Sequence, residues 1–195
     1  MMQLIDTSKL RYSRGPNPRR NLPPQFSRKR GESNFLRAFE KTYFAAQTKR
    51  GVARAEFDFS GFGIADLVWL SWPLKDTPAE ATAVGLQRRL RSLRVVAFEL
   101  KLSEWRRGLA QAFRYSYFAD LAVVVLTPRA AEAAIKHVAE FRRLSVGLWA
   151  FNPKTGTISK HFTPRRQRAK SADARDRAVA SLLRSAKLCQ ILEKR

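Results

Sequence analysis

Residues 94–126, RVVAFELKLSEWRRGLAQAFRYSYFADLAVVVL, contain the pattern on which the fold prediction depends. Residues 94–102 are mostly apolar and predict a strand, and residues 104–117 have the apolar spacing of a helix. Residues 120–126 form a continuous apolar run, which is typical of a strand buried on both faces. A strand, a helix and a second strand in this order predict a right-handed crossover between parallel strands.

The flanking sequence extends this unit to an α/β fold, a mixed β-sheet flanked by helices. Apolar periodicity and turn residues predict the other elements: a helix at 32–47, strands at 53–59 and 64–72, a loop at 73–85, a helix at 128–141, strands at 146–151 and 157–162, and a last helix at 172–192. Ser103 is the predicted N-cap of the helix at 104–117.

Composition divides the chain into three parts. Residues 1–31 are rich in proline and basic residues and poor in apolar ones, which predicts a flexible arm. Residues 32–163 form the predicted core domain, and residues 164–195 form a basic linker and a C-terminal helix.

The formal net charge of +22 is concentrated at the two ends of the chain. The first 50 residues carry 12 basic and 3 acidic groups, the next 100 carry 14 and 10, and the last 45 carry 12 and 3. Such an excess opposes folding by repulsion, but it favours a polyanion through phosphate contacts and counterion release. We therefore expect nucleic acid, above all DNA, as the partner; a merely solvated surface or a tail without a role is the alternative.

The residues expected to contact nucleic acid lie in the two basic ends and on the helix at 104–117. They are Arg19, Arg20, Arg28, Lys29, Arg30, Arg106, Arg107, Arg114, Arg165, Arg166, Arg168 and Lys170.

Other classes of protein are disfavoured by what the sequence contains. A membrane partner is not expected, because no run of about 18 apolar residues is present. Cys189 is the single cysteine, which excludes an intramolecular disulfide and a cysteine-based metal cluster and favours a cytoplasmic protein. The two histidines are far apart in sequence and do not suggest a zinc site.

Three charged residues interrupt apolar strands and are the candidates for chemistry. Glu99 and Lys101 alternate on one strand, so both point to the same face, roughly 6–7 Å apart along it. Asp66 interrupts the apolar strand at residues 64–72, and two carboxylates on neighbouring strands can bind one hard cation. Burying these charges is costly unless they are paired or hold a metal. The alternative is an ordinary Glu99–Lys101 ion pair at a sheet edge.

The chain resembles the PD-(D/E)XK nuclease superfamily, which has the restriction-endonuclease-like fold. The resemblance lies in Asp66, followed after a long stretch of sequence by Glu99-x-Lys101. The order helix, three strands, helix, strand over residues 32–126 resembles its αβββαβ core. The resemblance implies that Asp66 and Glu99 bind Mg²⁺ or Mn²⁺, with the Leu100 carbonyl as a further ligand, and that Lys101 assists the attacking water. Ala65 departs from the proline that often precedes the family's aspartate.

A second motif follows on the next helix, where Gln111-x-x-x-Tyr115 resembles the Gln-x-x-x-Tyr motif of the RecB-type and lambda-exonuclease-type branch. The i, i+4 spacing places both side chains on one helical face. The resemblance also implies an acidic residue from the first helix near the metal. Glu32 is the candidate for it, with Glu40 as the alternative.

These observations predict a metal-dependent nuclease that hydrolyses phosphodiester bonds in DNA, and dimers are common among families with this fold. Two alternatives stay open. The chain is either a non-catalytic DNA- or RNA-binding protein on the same fold, or a basic RNA-binding or ribosome-associated protein whose acidic residues meet by accident.

Overall fold

The computed structural model describes residues 30–47, 49–72, 92–165 and 168–185. In chain order these residues form α1 (Arg30–Ala45), β1 (Arg50–Phe59), β2 (Gly63–Trp72), β3 (Arg94–Lys101), α2 (Trp105–Tyr115), β4 (Leu121–Leu126), α3 (Pro128–Ile135), α4 (Val138–Leu144), β5 (Gly147–Asn152), β6 (Thr157–Phe162) and α5 (Ala172–Ser185). Three predicted features lie outside the described residues: the arm except its last two residues, the whole loop at 73–85, and Cys189.

The six strands form one mixed sheet in which their spatial order follows the chain. β1, β2 and β3 pair antiparallel, β3, β4 and β5 pair parallel, and β6 returns antiparallel to β5. The predicted α/β class with a mixed, helix-flanked sheet is thus confirmed, and so is the parallel pairing of β3 with β4 through α2.

Two apolar clusters lie on the two faces of the sheet. Val95 and Ala97 of β3 belong to the larger cluster, which α2, α3, α4 and α5 cover. Phe98 and Leu100 point the other way and pack in the smaller cluster with the aromatic stripe of α1. Because side chains alternate along a strand, Glu99 and Lys101 lie on the face covered by α2.

Asp120 connects the start of β4 to β3 and α5. One of its carboxylate oxygens accepts the Val95 N–H at 2.8 Å, and the other lies 2.9 Å from Nε of Arg175. Arg175 also donates to the Leu93 carbonyl at 2.8 Å. Asp120 is therefore a structural hydrogen-bonding group. α5 itself packs its apolar side into the larger cluster through Ala178, Leu182 and their neighbours.

Several predicted boundaries were wrong. The single helix expected at 128–141 is two helices, α3 and α4, since the turn between them lets His137 stack on Trp105 and brings Phe141 into the core. Ser103 is not the N-cap of α2; Glu104 holds that position and its side chain caps no amide. Leu102, the last residue of the strand predicted at 94–102, lies just past β3 and is exposed.

Among the described helices, none combines the length and the apolar character that crossing a membrane requires.

Candidate active site

Asp66 lies where β2 and β3 separate. The pairing of these two strands runs from Ser71 opposite Arg94 to Leu67 opposite Phe98 and ends there. One residue further along, Oδ2 of Asp66 accepts the Leu100 N–H at 2.7 Å, in place of a strand carbonyl. The Asp66 side chain is 1% exposed. A carboxylate is thus held in the gap between two interior strands of the sheet.

Glu99 and Lys101 meet on the α2 side of β3, as their spacing predicts. Nζ of Lys101 lies 2.8 Å from Oε1 of Glu99, and the exposed fractions of the two side chains are 16% and 0%. Among the described residues, Oε1 has this ammonium beside it and no other partner in well-aligned hydrogen-bond geometry. The ion pair lies on the third of six strands, so the alternative that placed it at a sheet edge was wrong on the location.

Tyr115 reaches into the same place from α2. Its hydroxyl lies 2.8 Å from Oε2 of Glu99 and 2.8 Å from the Ile64 carbonyl oxygen. A tyrosine hydroxyl has one proton to donate and can also accept. With its one proton, the Tyr115 hydroxyl donates to Oε2 of Glu99 and to the Ile64 carbonyl in alternation, or shares the proton between these two acceptors. Tyr115 therefore orients one oxygen of Glu99 and ties it to β2.

Burial and charge shift the pKa values of both groups. Burial, followed by the negative charge of Asp66, raises the pKa of Glu99 from 4.5 to about 7, although Lys101 and Tyr115 act in the opposite direction. Burial and then the charge of Glu99 raise the pKa of the Tyr115 hydroxyl. Tyr115 is therefore a neutral hydrogen-bonding group, whereas Glu99 changes charge near neutral pH.

Gln111 lies one turn before Tyr115 on the same face of α2. Its side chain is partly buried, and its amide oxygen is buried with no hydrogen-bond partner among the described residues. A buried amide oxygen without a partner is costly. It is thus an acceptor that a bound water or ligand can satisfy.

Gly108 is a site residue that the sequence analysis missed. A Cβ atom at this position would lie 3.0 Å from Cγ of Lys101 and 3.1 Å from Cγ1 of Val124. The absent side chain therefore lets α2 approach the lysine stem closely. The available signal was a glycine inside a helix, which costs about 1 kcal/mol relative to alanine and usually has a packing reason.

The donors present fit a hard divalent cation. Asp66 and Glu99 supply carboxylate oxygens, and Mg²⁺ is commonly bound by one or two carboxylates with waters and substrate phosphates. The Leu100 carbonyl is expected to face the same gap, because the N–H and C=O of a strand residue point to the same side. Among the described residues, no three His, Cys, Asp or Glu side chains come together as a metal site.

The structure does not bring Glu32 to Asp66 and Glu99. Glu32 is partly buried on α1, which packs on the opposite face of the sheet. α1 does begin near the end of the sheet that carries Lys101, since a Cβ on Gly31 would lie 3.5 Å from Cδ1 of Leu102. Glu40 is buried on the same helix. A ligand from α1 therefore remains a prediction.

The basic residues predicted to bind nucleic acid are exposed wherever the structure describes their side chains: Arg30, Arg106, Arg107, Arg114, Arg165, Arg168 and Lys170. Arg114 lies beside the start of β2, because its guanidinium is 3.7 Å from where a Cβ on Gly63 would stand. The other five, Arg19, Arg20, Arg28, Lys29 and Arg166, lie outside the described residues.

No protein-family model, curated protein or solved structure matches this chain, so the site is interpreted from its own residues and geometry.

Proposed function

We propose that this chain is a metal-dependent nuclease that hydrolyses phosphodiester bonds in DNA. The observation that carries the proposal is the meeting of Asp66, Glu99, Lys101 and Tyr115 where two interior strands separate. Asp66 and Glu99 are both buried, and the excess of negative charge that Asp66 adds helps to raise the pKa of Glu99. A divalent cation would neutralise that excess.

The arrangement of elements supports a restriction-endonuclease-like core for this proposal. The order of elements is αβββαβ, which corresponds to α1, the three antiparallel strands β1, β2 and β3, α2 and β4. The site lies between the second and third strands, and α2 covers it with the Gln111 and Tyr115 face. The fold alone would not indicate a function; the buried polar residues in this position do.

In the proposed mechanism, Asp66, Glu99 and the Leu100 carbonyl would hold Mg²⁺ or Mn²⁺. The bound ion would supply charge to stabilise the transition state and would lower the pKa of a water molecule. Tyr115 keeps Oε2 of Glu99 in place, and Oε1, which lies beside the Lys101 ammonium, would be the oxygen that binds the ion.

Lys101 has a different part in the reaction. Its side chain is 16% exposed, so the ammonium can leave Glu99 and contact an incoming phosphate or the attacking water. A positive charge stabilises the transition state strongly when it lies where negative charge develops and the site excludes water. The unpartnered oxygen of Gln111 would accept a hydrogen from that water and orient it.

The cleavage experiment compares the full chain with Asp66→Asn and Lys101→Met on fluorescently labelled duplex, single-stranded and branched DNA. Each substrate is incubated with Mg²⁺, Mn²⁺ or EDTA. Asp173→Asn and Lys136→Met are the matched controls, since these exposed residues lie on α5 and after α3, away from the site.

We expect the wild type and both controls to cut only with a divalent ion. Both site variants should lose activity on the order of 100-fold or more, which is typical of removing one group that stabilises the transition state. A wild type that binds DNA but never cuts it would identify a non-catalytic binding protein. Site variants that cut as well as the controls would contradict the assigned roles.

A further inference from the structure

An aromatic surface lies beside the candidate active site, where the β1–β2 turn meets the end of α2. Tyr117 is 39% exposed, one of three large apolar side chains exposed among the described residues. Its ring centroid lies 5.8 Å from that of Phe62 and 6.3 Å from that of Phe113, both partly buried. The exposed ring thus packs against two neighbouring rings.

Cations border these rings. Nζ of Lys170 lies 3.8 Å from the ring centroid of Phe113 and 5.4 Å from that of Tyr117. The backbone around Lys170 is fixed to the end of α2, because the N–H groups of Lys170 and Ser171 donate to the carbonyls of Ser116 and Tyr117, both at 3.0 Å. The basic segment that follows β6 is therefore anchored beside the rings.

A shallow cleft continues from Lys170. Arg165, Arg168 and Lys170 line it together with Ser116 and the start of β4. The acid in its lining, Asp120, is paired with Arg175 and with the Val95 N–H. The three cations of the cleft are consequently not neutralised by that carboxylate, and an anion such as a phosphate group fits their charge.

This surface lies close to the candidate active site along the chain. Tyr117 lies two residues after Tyr115, whose hydroxyl bonds the Ile64 carbonyl, and Phe62 lies two residues before Ile64. Arg114 lies beside Gly63, the residue that follows Phe62. A strand of nucleic acid on the rings would therefore pass close to Asp66 and Glu99.

We propose that this surface, which we call the aromatic–basic strip, binds single-stranded nucleic acid by stacking bases on Tyr117 and contacting phosphates through its cations. The strip consists of Phe62, Phe113, Tyr117, Arg165, Arg168 and Lys170. Base faces are accessible in single strands and covered by neighbouring bases inside a duplex, so an exposed ring beside cations suits a single strand. The placement of the strand next to the cleavage site rests on the proposed function; the binding does not.

The test measures binding by fluorescence anisotropy in EDTA, using the full chain, a labelled oligonucleotide and the blunt duplex of the same length. Tyr117→Leu keeps an apolar side chain but removes the ring, and Tyr117→Phe restores it. Lys170→Met removes a cation of the strip. Ile135→Ala and Lys136→Met are the controls, because these exposed residues belong to neither the site nor the strip.

We expect Tyr117→Leu to weaken single-strand binding roughly 5- to 100-fold, the range for one base–aromatic stack, while Tyr117→Phe and both controls bind like the wild type. Duplex binding should change little in Tyr117→Leu. Lys170→Met should reduce the slope of log K against log salt by about 0.7, the value for one phosphate contact on a single strand.

Unchanged single-strand binding in Tyr117→Leu, or an equal loss on single strand and duplex, would overturn the proposal. The outcome is independent of cleavage, because the assay contains no metal. If the chain shows these binding effects but never cuts, the proposed strip is supported and the proposed nuclease function is rejected. If the chain cuts but substitution of Tyr117 has no effect on binding, only the proposed strip is rejected.

Discussion

Glu99→Gln should stabilise the metal-free protein at pH 8. A rise in pKa from 4.5 to about 7 means that keeping this carboxylate charged in the fold costs about 3 kcal/mol relative to water. Glutamine has nearly the same shape and no charge. Lys101 loses its partner, but its partial exposure lets the ammonium reach water. Allowing for that loss, we expect a net gain of about 2 kcal/mol, which is roughly 4–8 °C in Tm for a chain of this size.

The gain should depend on pH in a defined direction. Between the unfolded pKa of 4.5 and the folded pKa of about 7, the folded state binds more protons than the unfolded state. The contribution of the Glu99 carboxyl to the free energy of unfolding is therefore fully present below this window and is lost as pH rises through it. The variant lacks this titration. The Tm difference between Glu99→Gln and wild type should be small or negative at pH 5 and should grow to its full value by pH 8.

The assay is thermal unfolding followed by circular dichroism at pH 5, 6, 7 and 8 in EDTA. Glu104→Gln is the control, because Glu104 is a glutamate just before α2 that is 65% exposed; its difference from wild type should stay near zero throughout. Excess Mg²⁺ added at pH 8 should raise the Tm of wild type and not that of Glu99→Gln. If Glu99→Gln is less stable than wild type at pH 8, the Glu99–Lys101 pair is a structural ion pair and our reasoning is refuted.

Two further predictions concern packing around this site and the C-terminal helix. Arg175→Ala removes one partner of the buried pair with Asp120 and should cost about 3–5 kcal/mol, measured by urea unfolding; Arg177→Ala, which breaks an exposed i, i+4 pair, should cost under about 1 kcal/mol. Equal costs would show that Asp120 does not depend on Arg175. Gly108→Ala places a methyl group against the stem of Lys101 and should cost about 1–3 kcal/mol. It should also lower the cleavage rate; a stable, fully active variant would show that α2 can move away from β3.

The sequence predicted the parts of the site that depend on local periodicity. Glu99 and Lys101 share a face because strand side chains alternate, and Gln111 and Tyr115 share one because they lie one helical turn apart. Both relations follow from spacing alone. That the helix pair would lie near the strand pair followed from the predicted crossover, because the strand-like and helix-like patterns place α2 against β3.

The parts that were not predicted depend on long-range register. Asp66 bonds the Leu100 N–H because β2 and β3 stop pairing after Leu67 and Phe98, and no local pattern marks where a pair of strands separates. Glu56, opposite this point on β1, has a φ of 51°, an uncommon conformation for a non-glycine residue.

The break between α3 and α4 was also invisible in the sequence. The apolar pattern continues through Lys136 and His137, and only packing against Trp105 and the core decides where the chain turns.

The bond network of Arg175 has a consequence for how the chain is made. Arg175 reaches back 82 residues to the Leu93 carbonyl and 55 to Asp120. During synthesis the sheet strands therefore leave the ribosome before the residue that joins β3 and β4 to the last helix. A nascent chain ending before residue 175 would leave the buried Asp120 without its cation and part of the larger apolar cluster uncovered by α5. The chain thus joins β3 and β4 to the last helix only after residue 175 has been translated.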